Sequence, residues 1–181
     1  MGQDQVLVSE RINEITKMCD REQPVYEQIS NFSIALYVLD FFACADLLSV
    51  EDVDHVAAGA ILKEHFIEIK KEEIPSDYNI YTSDDRYLMV IGDPVFPTHF
   101  AVVADIRGEQ PFFSKLPFFG SGFDSMAELK KEFTGIDGLS EKDIYFFKRK
   151  QEGGLKQKSA KIYTLNNDGN YSVWEYQYAT K

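Results

Sequence analysis

Between Gly92 and Phe123 the chain holds four of its six prolines and seven of its fourteen phenylalanines, in the runs GDPVFPTHF and EQPFFSKLPFFGSGF. Proline fixes φ and lacks a backbone N–H, so this stretch is barred from an ordinary helix. Its rings still need shelter from water. The expected outcome is an ordered aromatic loop system packed on a core, either covering that core or lining a pocket or partner surface. The candidate ligand or partner residues are Phe96, Phe112, Phe113, Phe118, Phe119 and Phe123, with His99 and Ser121 beside them.

The residues before this stretch read as helix. Val8, Ile12, Ile15 and Cys19 recur at helical spacing. Pro24 interrupts, and Val25 to Leu48 is apolar on nearly every side, as a covered central helix requires. Ser49 followed by Asp52 reads as a variant capping box opening a third helix. Val53, Val56, Ala57, Ala60, Ile61 and Ile67 mark that helix's apolar face, and Pro75 ends the helical part.

The period then switches. Tyr78–Thr82, Arg86–Ile91 and Phe100–Ile106 read as strands. After the aromatic stretch, Asp124 or Ser125 caps a short helix with Glu128 in position to complete a capping box, and Gly135 stops it. Asp143–Lys148, Ala160–Leu165 and Tyr171–Tyr178 read as three more strands. The last two are joined through Asp168-Gly169, a two-residue turn that sets Tyr163 opposite Trp174. The expected fold is α+β: about three N-terminal helices packed on one face of a mainly antiparallel sheet of about six strands. One short helix is inserted between strands 3 and 4. At 181 residues the chain fits a single domain, 1–181, with a helical part (1–74) and a mainly β part (75–181).

The formal net charge is −11. Such a chain repels nucleic-acid backbones, and nucleic acid is a disfavoured partner. The charge is uneven. Residues 1–142 carry 12 Lys/Arg against 26 Asp/Glu, whereas residues 143–181 carry 7 against 4. Lys148, Arg149 and Lys150 are therefore the candidate anion contact, and the same basic stretch can meet the acidic part of a second copy in a homodimer. No apolar run is long enough for a membrane span, and the two cysteines, Cys19 and Cys44, read as buried thiols of a reducing compartment. A cytoplasmic location is expected.

Signatures of chemistry are incomplete. Gly120-Ser121-Gly122 precedes a helix start, where backbone N–H groups can cradle a phosphate, but no Gly-Lys-Ser/Thr follows. Glu51 with His55, and His65 with Glu68, are spaced for a shared ion, yet neither pair is a full ligand set. Ser121 lacks the glycine two residues earlier that a nucleophile elbow needs. No cofactor, metal or catalytic residue is assigned. The expected function is a non-catalytic binding, accessory or regulatory protein acting through an acidic, aromatic-rich surface on a protein partner. The alternative is a small-ligand pocket or enzyme site beneath residues 92–123, with His99 as its polar group. A weaker one is anion or nucleic-acid contact at the basic segment 148–161.

Overall fold

The computed structural model describes residues 3–19, 21, 29–42, 44, 46–116, 119–133, 143–150, 156–165 and 171–180. Helix α1 (Gln3–Met18) buries Val8, Ile12 and Ile15, with Cys19 just beyond its end, on the stripe that the spacing predicts. Helix α2 (Asn31–Val38) starts at Ser30, whose hydroxyl accepts from the Ser33 N–H, and is buried from Phe32 to Val38. It packs against α1 and on the sheet.

The apolar run does not continue as helix to Leu48. The chain turns at Asp40, which takes a left-handed φ of 58°. The Phe41 N–H reaches the Leu36 carbonyl and the Asp40 N–H that of Tyr37, a Schellman ending with Asp where Gly is usual. A tertiary contact holds Asp40 there. Arg11 of α1 is buried, lies 3.2 Å from the Asp40 carboxylate, donates to the Tyr37 and Cys44 carbonyls and stacks over the Tyr37 ring. Glu14 accepts from the Tyr37 hydroxyl and the Leu47 N–H, so one turn of α1 supplies the partners the helix end needs.

Helix α3 (His55–His65) is capped by Asp54, not by the Ser49/Asp52 pair. Asp46 caps a separate 3-10 turn at Leu47–Ser49, and Asp52 instead accepts from Ser30 and Ser33. The helix stops ten residues before Pro75 because Phe66–Ile69 leaves it as strand β1, whose partner lies near residue 146. β-branched and aromatic residues make that segment able to join a sheet, but the partner that decides it is remote in sequence.

The main sheet is antiparallel throughout, in the order β1-β6-β2-β3-β4-β5, with β2 (Tyr87–Ile91), β3 (His99–Val103), β4 (Phe112–Lys115), β5 (Ser121–Asp124) and β6 (Ile144–Arg149). Tyr78–Thr82 contributes a single bridge, Asn79 to Asp105, rather than a strand. Between β5 and β6 lies the short helix α4 (Met126–Glu132), with the Ser125/Glu128 capping box in place. Its place in the sequence is as expected; its rank among the strands differs because β1, β4 and β5 add to those read from the pattern. Gly135 lies outside the described residues.

Register assigns the faces. Phe100 and Val102 share one face with Phe113 and Phe123, and α2 covers it, Phe32 meeting Phe100 at 4.8 Å. His99, Ala101, Phe112, Ser114 and Asp124 share the other, where Phe133, following α4, lies 4.5 Å from the His99 ring. The N-terminal helix α2 thus packs on one face, and the residue after α4 reaches the other.

Strands β7 (Lys156–Leu165) and β8 (Tyr171–Thr180) form a separate two-stranded antiparallel sheet. Its register pairs Ile162 with Trp174 and Tyr163 with Val173, one residue away from the expected pairing. Leu165 and Tyr171 are the last described pair. Asp168-Gly169 itself lies outside the described residues.

Candidate functional site

The aromatic stretch divides into two structures. The first half, Gly92 to Thr98, is the β2–β3 loop. Gly92 takes φ +94°, a region open to glycine, and the Thr98 N–H closes on the Ile91 carbonyl. Within the loop, Asp93 accepts the Val95 N–H on its carboxylate and the Phe96 N–H on its carbonyl, with Pro94 presetting the turn. The second half is the β4–β5 hairpin.

The loop lies directly on α3. A Cβ at Gly59 would stand 2.0 Å from the Val95 carbonyl oxygen, so glycine is what permits this approach. The contact holds Val95 and Phe96 beside the helix with their side chains turned out. Val95 is 61% exposed, Phe96 56% and Val56 of α3 53%. Together they border a groove of about 480 Å³, floored by Leu62 and Phe147 and lipped by Lys63 and Glu68. Its helix side is Val56, Gly59, Ala60 and Lys63, a stripe at i, i+3, i+4 and i+7.

The expected apolar face of α3 is divided: Val56 and Ala60 line the groove, Val53 is buried and Ile61 packs on the core. Ala58, Gly59 and Leu62 are buried, while Val56, Ala57 and Ala60 are exposed. Ile67 is exposed on β1. Asp54 caps α3 two residues before Val56, and Asp93 opens the loop two residues before Val95. His55 stands 6.2 Å from the Phe96 ring.

The other predicted aromatic residues go elsewhere. Phe112 and Phe113 are adjacent in β4, so they point to opposite faces, and both are buried core. Phe123 is half-buried against Phe113 at 4.9 Å. Phe119 is half-exposed where the hairpin turns, its N–H donating to the Leu116 carbonyl. Phe118 lies outside the described residues.

Ser121 is not in a helix-leading loop. It is a buried residue of edge strand β5, and its N–H donates to the Cys19 carbonyl at 2.6 Å. The Gly120-Ser121-Gly122 segment is thus committed to strand pairing, and its backbone presents no cradle at a helix start.

His99 is 0% exposed at the start of β3. Among the described residues neither ring nitrogen has a hydrogen-bond partner, nor have the hydroxyls of Ser114 and Ser121. Burial pushes the His99 pKa down to about 3, with the positive charges of Arg21 and Lys115 adding to the effect. Arg21 itself makes a two-pronged ion pair with Asp124 on the same face as His99. His99 is a neutral core histidine sealed beneath Phe133.

Each of the three basic candidates is already engaged. Lys148 lies 3.6 Å from the Asp85 carboxylate and over the Tyr87 ring. Arg149 donates to the Leu39 carbonyl, and Lys150 donates to the Glu64 carbonyl at 3.0 Å. They tie the end of β6 to α2 and α3. Among the described residues no group of three or more His, Cys, Asp or Glu is placed to hold a metal, and Cys19 and Cys44 form no disulfide. No helix among them is long and apolar enough to cross a membrane.

No protein-family model matches the chain, and no curated protein or solved structure matches it either.

Reading the groove from the sequence needed two facts. Val56 had to leave the core side of α3, and the β2–β3 loop had to land on Gly59. A glycine inside an otherwise good helix is a signal of close backbone approach, and it is the one hint the chain offered.

Proposed function

We propose that this protein acts by binding a partner protein in the groove between α3 and the β2–β3 loop. The occupant is a peptide segment with an apolar anchor flanked by Lys or Arg. One observation carries the reading: three apolar side chains, each more than half exposed, gather around a mainly apolar depression. Scattered exposed apolar residues are ordinary, but a contiguous group beside a groove is the usual form of a docking site. Apolar anchors in such a groove supply affinity, and the rim selects the partner.

The charge argues for a basic partner. Asp54 caps α3 next to Val56 and Asp93 opens the loop next to Val95, while Lys63 and Glu68 balance at the lip, in a chain of net −11. Two copies meeting at this groove would bring like charges together, which costs association.

The test is selection of random twelve-residue peptides displayed on phage. Enriched sequences should share an apolar residue flanked by Lys or Arg. Their affinity should fall at least about tenfold, or 1.4 kcal/mol, for Phe96→Asp, and stay unchanged for Phe119→Asp. Enriched peptides without basic flanks, or peptides indifferent to Phe96→Asp, would defeat the proposal.

A further inference from the structure

On the sheet face that carries α4, a second depression of about 540 Å³ opens between α4, the start of β6 and the 3-10 turn at Lys71–Glu73 that follows β1. That volume lies in the range of small-ligand sites. Its apolar part is Ile69 of β1, Ile144 and Phe146 of β6, and Met126 of α4, set among charged residues. Register puts Ile69, Phe146 and Ile144 on one face, so the floor is a continuous strip across two strands.

Lys70 and Lys71 stand at one side of this floor and Lys130 at the other. None of the three makes an ion pair among the described residues. Two carboxylates also line the depression. Glu72 belongs to the rim. Glu68 alternates to the opposite sheet face, shared with its register partner Phe147, and also lines the α3 groove. Three lysines and two glutamates therefore line the depression, a surplus of one positive charge on a chain whose net charge is −11. A local reversal of sign in a concave site concentrates field on a small anion.

We infer that this depression is a binding site for a small amphipathic anion, a flat apolar body bearing one carboxylate or phosphate. The floor takes the body, and the lysines on either side take the charge. An inorganic anion lacks the body, and a neutral aromatic lacks the charge, so both are rejected relative to the combination. The site lies across the sheet from the α3 groove and does not depend on it.

Equilibrium dialysis of the whole chain tests this with 2-naphthoate as probe, beside neutral 2-naphthalenemethanol and inorganic phosphate. Naphthoate should saturate at one molecule per chain, with the alcohol and phosphate each weaker by at least about tenfold. The variant Lys70→Gln/Lys71→Gln/Lys130→Gln should lose at least about tenfold in naphthoate affinity while keeping its circular dichroism and Tm. Met126→Glu, at the floor, should lose it as well, and Phe96→Asp should leave it unchanged. The inference is overturned by no saturable naphthoate binding, by equal binding of the neutral alcohol, or by undiminished binding to the triple lysine variant.

Discussion

The two halves of the proline-aromatic stretch have nearly the same composition and opposite fates. Residues 92–98 form a loop that holds Val95 and Phe96 out in solvent, while β4 and β5 pair as a hairpin that carries Phe112 and Phe113 into the core. The proline spacing separates them. Pro94 and Pro97 stand three apart, leaving no room for a strand between them. Pro111 and Pro117 bracket Phe112–Leu116, which is long enough to pair on both sides. Pro111 ends up just ahead of β4, where a missing N–H costs nothing to the ladder. Aromatic content thus predicts burial only where the chain has length to pair.

The comparison breaks most sharply at Phe113. Phe113→Ala should cost about 3–5 kcal/mol, the range for a buried Phe emptied to Ala, read from urea unfolding. A loss below about 1 kcal/mol would mean that the hairpin is a cover and not core.

His99, which joins the first half to β3, should appear in the acid limb of stability. Its native pKa of about 3 lies below the ordinary 6.5, so the unfolded chain binds the proton first. Stability is then complete above pH 6.5 and falls as the pH drops toward 3, by up to a few kcal/mol. His99→Leu should flatten this limb by about one proton relative to wild type. Superimposed pH profiles would show that the ring is solvated.

Gly59→Ala sharpens the comparison by lifting the loop from its seat. The added methyl meets the Val95 carbonyl, and overpacking against backbone should cost about 1–3 kcal/mol. The groove should lose its peptides as well. Retained binding at wild-type Tm would place the loop elsewhere. Next comes Ser125→Ala, which removes one arm of the capping box after the hairpin and should cost about 1 kcal/mol in thermal unfolding.

The smallest effect belongs to the exposed half. Phe96→Ser should change stability by no more than about 0.5 kcal/mol, because its ring is more than half in water, while weakening peptide binding. A large loss of Tm would mean that the Phe96 ring is structural.

Several features were legible because their causes are local. The α1 stripe of Val8, Ile12, Ile15 and Cys19 follows from one helix meeting one core, and the Ser125/Glu128 box from side chains three residues apart. β2 and β3 were visible as apolar runs beside turn residues. The missed strand β1 looked like the tail of α3, since its pairing with β6 spans some eighty residues. The β7–β8 register differs by one from the pairing that an Asp168-Gly169 two-residue turn implies, Trp174 meeting Ile162 and not Tyr163. His99 was readable as a candidate only because a sequence does not show Phe133 closing over it.

What the chain by itself determined is its class: helices ahead of an antiparallel sheet, an acidic character, and a segment that cannot be helical. These follow from backbone propensity, side-chain period and charge, which act over a few residues or over the whole composition. Tertiary structure decided which rings are buried, which face of α3 meets water, and which lysines converge on one floor. Those are relations between segments distant in the chain, and they are set by strand pairing and by backbone approach at Gly59.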